Sequence, residues 1–126
     1  MILITGLPNA GKTTLSLGYS NVIHLDDIGY DAVLSSIEGK QNVIIEGAYG
    51  SKKRIDLLRH VTDVKKICVY IDTEVEECIK REYRGRNISM LRLYANQFEP
   101  PTYDEGWDEI IIVKDGKETL LPRQEV

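Results

Sequence analysis

Residues Gly6-Leu7-Pro8-Asn9-Ala10-Gly11-Lys12-Thr13 satisfy the pattern G-x-x-x-x-G-K-[ST] in full. The chemistry this spacing serves is the binding of a polyphosphate. Glycines let the backbone curl until successive N–H groups point at phosphate oxygens. The helix expected to follow turns its positive N-terminus to the same anion. Lys12 has the reach for β- and γ-phosphates, and Thr13 carries the hydroxyl that ligates Mg²⁺ in such loops. Gly6, Asn9, Ala10, Gly11, Lys12, Thr13 and Thr14 are therefore expected to bind ATP, with Thr13 as the protein ligand to Mg²⁺.

A phosphate loop does not by itself say whether anything is phosphorylated. A second set of residues bears on that. Asp26 and Asp27 follow one apolar run, Glu46 follows another and Asp72 a third. Asp26 is the candidate general base, a carboxylate able to take the proton of an attacking hydroxyl. Asp27 reads as the N-cap of the next helix or as an acceptor contact. Glu46 is placed to hold a metal-bound water or to orient the acceptor, the duller alternative being a salt bridge. Asp72 reads best as a cap of the helix after it.

A third set is cationic. Lys80-Arg81-Glu82-Tyr83-Arg84-Gly85-Arg86-Asn87 packs four cations and a glycine between two expected helices. Negative charge spreads over the oxygens of a migrating phosphoryl group, and a lid of arginines meets it. Gly85 is the expected hinge. Arg84 and Arg81 are the leading catalytic candidates, and Arg86 an acceptor-side one. Ser51-Lys52-Lys53-Arg54 puts cations at a helix start, against the helix dipole, which suggests phosphates of the acceptor as their use.

The elements that must position these residues follow from the apolar pattern. Met1–Thr5, Asn21–Leu25, Gln41–Ile45, Ile67–Ile71 and Ile110–Val113 read as strands. Lys12–Tyr19, Gly29–Glu38, Lys52–Val61, Thr73–Tyr83 and Ser89–Phe98 read as helices, with Thr73 and Glu76 as a capping box. Strands alternating with helices imply a parallel sheet, and near-continuous apolar strands imply helices on both faces. The expected architecture is a three-layer α/β domain of the P-loop NTPase and kinase type with a five-stranded parallel sheet, a single domain over residues 1–126. Residues 114–126 are expected to be a short tail or hairpin. In such sheets ligands bind beyond the carboxyl ends of the strands, which gathers the loop and the four carboxylates at one edge.

The 126 residues carry a formal net charge of −4, which argues against a protein that coats long nucleic acid. No apolar run is long enough to span a bilayer and no secretory leader is evident. Cys68 and Cys78 lack metal-ligand spacing and read as reduced, packed residues. These features suit a cytoplasmic location. His24 and His60 read as ordinary residues.

With these residues assembled, the chain resembles the kinase domains of 5′-hydroxyl polynucleotide kinases over roughly residues 1–113. The matching pieces are Gly6–Thr14, Asp26-Asp27, Val69-Tyr70-Ile71-Asp72 with the helix ending Lys80-Arg81, and Arg84-Gly85-Arg86. The run Gln97-Phe98-Glu99-Pro100-Pro101-Thr102-Tyr103-Asp104-Glu105-Gly106-Trp107 is the most specific of them. The resemblance implies that Lys12 and Thr13 hold ATP·Mg²⁺, that Asp26 activates the 5′-hydroxyl of a nucleic acid strand and that Arg84 is the lid arginine. Members can carry an arginine three residues after the catalytic aspartate to engage a 3′-phosphate. That position is Gly29 here, leaving Arg54 or Lys53 as the alternatives. Trp107 and Phe98 read as core residues or as platforms for a base. Two other readings stay open: a kinase for a nucleoside, nucleotide or other metabolite, and an NTP-binding module without an acceptor. A hydroxyl acceptor is favoured by Asp26, because an acceptor phosphate would need no base.

Overall fold

A computed structural model of the chain describes residues 1–39 and 42–123. The elements run β1 (Ile2–Gly6), α1 (Lys12–Ser16), β2 (Ile23–His24), α2 (Leu25–Ile28), α3 (Tyr30–Ile37) and β3 (Ile44–Glu46). There follow α4 (Ser51–Arg59), β4 (Ile67–Ile71), α5 (Val75–Lys80), α6 (Ile88–Gln97), β5 (Glu109–Lys114) and β6 (Lys117–Leu120). The sheet has six strands in the order β2-β3-β1-β4-β5-β6. The first five are parallel and β6 is antiparallel to β5.

The expected sheet is thus one strand short. Residues 117–120 fold back on β5 around Asp115 and Gly116, whose positive φ values of 51° and 77° make the tight turn. Of the stretch expected to be a tail or hairpin, residues 117–120 form one arm of a hairpin with β5, and 124–126 lie outside the described residues. The expected third strand began at Gln41, also outside them. Its observed core is Ile44–Glu46.

β1 sits between β3 and β4, so the chain leaves it toward one edge and returns on its other side. A crevice opens at such a switch point, and the phosphate loop runs straight out of β1 into it. Alternation along the strands sends Leu3, Ile45, Cys68 and Ile110 to one face. There they pack with Val33 and Ile37 of α3, Leu57 and Leu58 of α4, and Trp107, all buried. Each buried Leu, Ile or Val side chain among them contributes about 1.5–3 kcal/mol. Ile4, Val69 and Ile71 face the other way, against Ala10 and Cys78.

Coverage of the two faces is unequal. Helices α1 and α5 are only five and six residues long. Ile2, Ile44, Ile67 and Ile111 on their side stay partly exposed. The expected helix through Tyr19 stops at Ser16, and the residues after it form turns. The capping box at Thr73 and Glu76 does not form. The Thr73 hydroxyl instead donates to Ala10 O at 2.8 Å, binding the end of β4 to the phosphate loop. Helix α5 starts two residues later without a side-chain cap, and Glu76 pairs with Arg92 of α6. Helix α6 is capped by Asn87, which accepts from Ser89 N and Met90 N, an arrangement worth about 1 kcal/mol.

Candidate active site

The phosphate loop is held open by its own backbone. Asn9 and Gly11 have φ of 65° and 111°, the left-handed conformations that let successive amides turn inward. Gly6 has no room for a side chain, since a Cβ would stand 2.8 Å from Ile71 O on the neighbouring strand. Lys12 folds back along the loop and donates to Gly6 O at 3.2 Å and Leu7 O at 2.6 Å. Burial pulls the pKa of its ammonium down, while the carboxylates of Glu46 and Asp26 act in the opposite sense. Thr13 and Thr14 are exposed. Helix α1 has only five residues, so the anion-binding groups on offer are chiefly the loop amides and Lys12.

The carboxylates sort into those that face the loop and those that do not. Glu46 is 5 % exposed at the end of β3, with Oε1 3.5 Å from Thr13 Oγ1. Its Oε2 lies 3.1 Å from His24 Nδ1. His24 was expected to be ordinary, yet β2 and β3 pair it directly with Glu46. Only the strand pairing reveals this contact. Asp26 lines the same pocket as Thr13, Lys12 and Glu46. Asp27 does not line it and caps no helix, because α2 already contains both aspartates and α3 starts at Tyr30 behind Gly29. Asp72 reaches the pocket but caps nothing, lying 3.5 Å from the Tyr70 hydroxyl and 3.9 Å from Lys114 Nζ. The Tyr70 hydroxyl is pushed up to about 12, first by burial and then by the Asp72 charge.

The arginine segment folds over the loop. Arg81, Arg84 and Arg86 all line the phosphate pocket. Arg81 Nη1 donates to Asn9 O and Ala10 O at 3.2 and 3.3 Å, and its Nε to Glu77 at 3.2 Å. Arg86 pairs with Glu82 at 2.7 Å and donates to Asn9 Oδ1 at 2.8 Å. Arg84 is exposed, its Nε 3.1 Å from the Tyr83 hydroxyl. The Tyr83 hydroxyl raises the pKa of its guanidinium most, and Asp26 contributes to the same shift across the pocket.

Arg54 is a correction. Far from meeting an acceptor, it is fully buried at 0 % exposure. Nε and Nη2 each lie 2.8 Å from one oxygen of Glu105, and Nη1 donates to Tyr49 O at 2.7 Å. Glu105 also accepts from Trp107 Nε1 at 3.0 Å. The stretch Gln97–Trp107 thus locks α4 onto the sheet, and Trp107, 1 % exposed, is core rather than a platform for a base. Lys52 and Lys53 remain exposed, and with Tyr30, Asp56 and Arg59 they line a separate shallow groove.

Thr13 Oγ1, Glu46 and Asp26 are hard oxygen donors lining one pocket, a set suited to Mg²⁺ that also keeps waters and leans on phosphate oxygens. Among the described residues no group of three or more His, Cys, Asp or Glu side chains could hold a metal by themselves. Cys68 and Cys78 are buried with thiols pushed upward by burial, consistent with packing roles. No helix among the described residues is long and apolar enough to cross a membrane.

The sequence matches no protein-family model and no curated protein. Its fold is similar to solved structures. One is a gluconokinase from Sinorhizobium meliloti 1021, with TM-score 0.67 and 13 % identity over 92 % of this chain and 82 % of that one. Another is a sugar kinase from Janibacter sp. HTCC2649, with TM-score 0.64 and 15 % identity over 90 % of this chain and 83 % of that one. At these identities the likeness carries the fold, the α/β fold of P-loop kinases. It does not single out the polynucleotide kinases that the sequence resembles.

Proposed function

We propose that this chain transfers the γ-phosphoryl group of ATP to a hydroxyl of a small polar metabolite, with a sugar or sugar acid as the first class to try. The observation that carries the reading is one pocket lined by Lys12, Thr13, Asp26 and Glu46 and roofed by Arg81, Arg84 and Arg86. The two similar folds bear the names gluconokinase and sugar kinase, which favours a small acceptor over a nucleic acid end.

In this reading the loop amides and Lys12 bind the triphosphate. Asp26 accepts the proton of the acceptor hydroxyl as its oxygen attacks the γ-phosphorus. The bond from that phosphorus to the β,γ-bridging oxygen breaks, and ADP leaves. The lid arginines meet the charge that develops on the equatorial oxygens. Glu46, steadied by His24, orients Thr13. Thr13, with Glu46 beside it, would hold Mg²⁺, which would neutralise phosphate charge.

A second reading, transfer to the 5′-hydroxyl of a polynucleotide, is favoured by the exposed cations Lys52, Lys53 and Arg59 beside Tyr30. ADP release is measured with Mg²⁺·ATP and a panel of sugars, sugar acids, polyols, nucleosides and a 5′-hydroxyl oligonucleotide. Stimulation by a member of the small-molecule set is expected. Stimulation by the oligonucleotide alone would replace the first reading with the second, and stimulation by none would remove both.

A further inference from the structure

The lid contains a carboxylate that the transfer step itself does not use. Glu82 lies between two exposed residues, Arg81 and Tyr83, yet its side chain is only 7 % exposed. Its Oε1 accepts from Asn9 Nδ2 at 2.9 Å and Arg86 Nε at 2.7 Å. Its Oε2 accepts from the backbone N–H of Arg84 at 2.7 Å and of Arg86 at 3.1 Å. These bonds, Asn9's first, pull its pKa down to about 2.

Asn9 closes the ring. Its Oδ1 accepts from Arg86 Nη2 at 2.8 Å, and its Nδ2 also donates to Cys78 O at 3.1 Å. The polar atoms of the Asn9 side chain are thus taken up by Cys78 O and the lid. Glu82 and Arg86 stand four residues apart, the spacing of a common helix-surface pair. No helix is present there, since α5 ends at Lys80 and α6 starts at Ile88. Stabilising a helix is not the pair's job.

A guanidinium has five N–H groups in a fixed plane. Glu82 and Asn9 hold two of Arg86's and set that plane, and Arg86 lines the phosphate pocket. A donor fixed in advance need not reorganise when charge develops beside it. Arg84 has no such anchor among the described residues: its side chain meets Tyr83, next to it in the chain and itself exposed.

We propose that Glu82 is a positioning residue that acts through Arg86. With Asn9 as second anchor, it fixes the Arg86 guanidinium against the terminal phosphate of bound ATP. This assignment rests on the phosphotransferase reading above, and it makes Arg86 the lid arginine whose donors are fixed in advance, with Arg84 unanchored beside it.

The test titrates ATP and ADP, each with Mg²⁺, into the wild type, Glu82→Gln, Arg86→Ala and the double variant by calorimetry. Glu82→Gln and Arg86→Ala should each weaken ATP by about tenfold, the loss of one well-placed charged contact, and leave ADP nearly unchanged. The double variant should bind ATP no more weakly than Arg86→Ala alone, because Glu82 then has nothing left to position. A Glu82→Gln protein with the wild-type ratio of ATP to ADP affinity overturns the assignment. So does a Glu82→Gln effect that persists in full on the Arg86→Ala background. A wild type that binds neither nucleotide overturns the phosphotransferase reading and this assignment with it, whereas the other two outcomes leave that reading standing.

Discussion

Replacing Arg54 by methionine separates two uses of a residue whose position in the sequence suggests acceptor binding. In the fold, Arg54 is 0 % exposed and forms both bonds of a bidentate pair with Glu105, each 2.8 Å. Glu105 is itself 6 % exposed. Methionine fills most of the space but leaves the carboxylate with the Trp107 indole N–H as its remaining donor among the described residues. The Tyr49 carbonyl also loses the 2.7 Å bond it accepts from Nη1. Removing one partner of a buried pair costs about 3–5 kcal/mol. That is a large part of the about 5–15 kcal/mol that holds a domain together. At about 4 °C per kcal/mol for a chain of this size, the melting temperature should fall by roughly 12–20 °C. Adding Glu105→Leu should restore part of the loss, since an unpaired buried charge is what makes the single variant costly. Circular dichroism melts read both. Turnover per folded molecule, measured well below the lowered midpoint, should stay near wild type. A fall in melting temperature under about 4 °C with a raised KM for the acceptor would refute the structural role and return Arg54 to the acceptor site.

Three further outcomes follow from other contacts. Lys12→Ala removes the ammonium from the loop and should lose measurable ATP binding in a fluorescent-nucleotide titration, with wild-type affinity as the contrary result. Gly47→Ala forces a Cβ to within 2.7 Å of Leu25 Cβ and 2.9 Å of Tyr49 Cε2. Overpacking of this kind costs about 1–3 kcal/mol, and because Leu25 adjoins Asp26 a lowered turnover should accompany the lowered melting temperature. Unchanged turnover would mean that the α2 turn absorbs the clash. Glu82 has a folded pKa near 2 against 4.5 in the unfolded chain. The unfolded chain binds more protons in that interval, so the stability this carboxylate contributes is complete above pH 4.5 and is lost as the pH falls toward 2. The urea midpoint of the wild type should therefore drop more steeply across that interval than that of Glu82→Gln, and parallel slopes would count against the Asn9–Glu82–Arg86 ring.

What was legible in the sequence was local. The phosphate loop is a contiguous signature whose spacing is fixed by the backbone, so Gly6 to Thr13 reads directly. The apolar runs give the parallel strands, and the carboxyl-end rule brings Asp26 and Glu46 to the loop. What was not legible depends on pairing across the fold. His24 meets Glu46 only because β2 lies beside β3 in that register. Thr73 gives up its helix cap because the Ala10 carbonyl is within reach. Arg54 reads as available to an acceptor because its partner, Glu105, lies far along the chain, in a stretch that resembles the kinase family and serves as a lock on α4. The lid's order has two sources: Arg81 is held by the Asn9 and Ala10 carbonyls and Glu77, and Arg86 by the side chains of Glu82 and Asn9, which carry no sequence signature of that role. The sixth strand was readable only as a tail or hairpin, since Lys117–Leu120 is polar but for Leu120 and wholly exposed.

The most direct measurement is transfer of labelled γ-phosphate from ATP to the acceptor that stimulates ADP release, run with the wild type and Asp26→Asn side by side. The expected result is a labelled acceptor with the wild type. With Asp26→Asn, turnover should be lower by about 10²-fold or more, the scale of a lost general base, at unchanged ATP affinity. An Asp26→Asn enzyme that keeps its turnover and loses ATP affinity instead would contradict the role given to this carboxylate, and with it the transfer to a hydroxyl on which the functional reading depends.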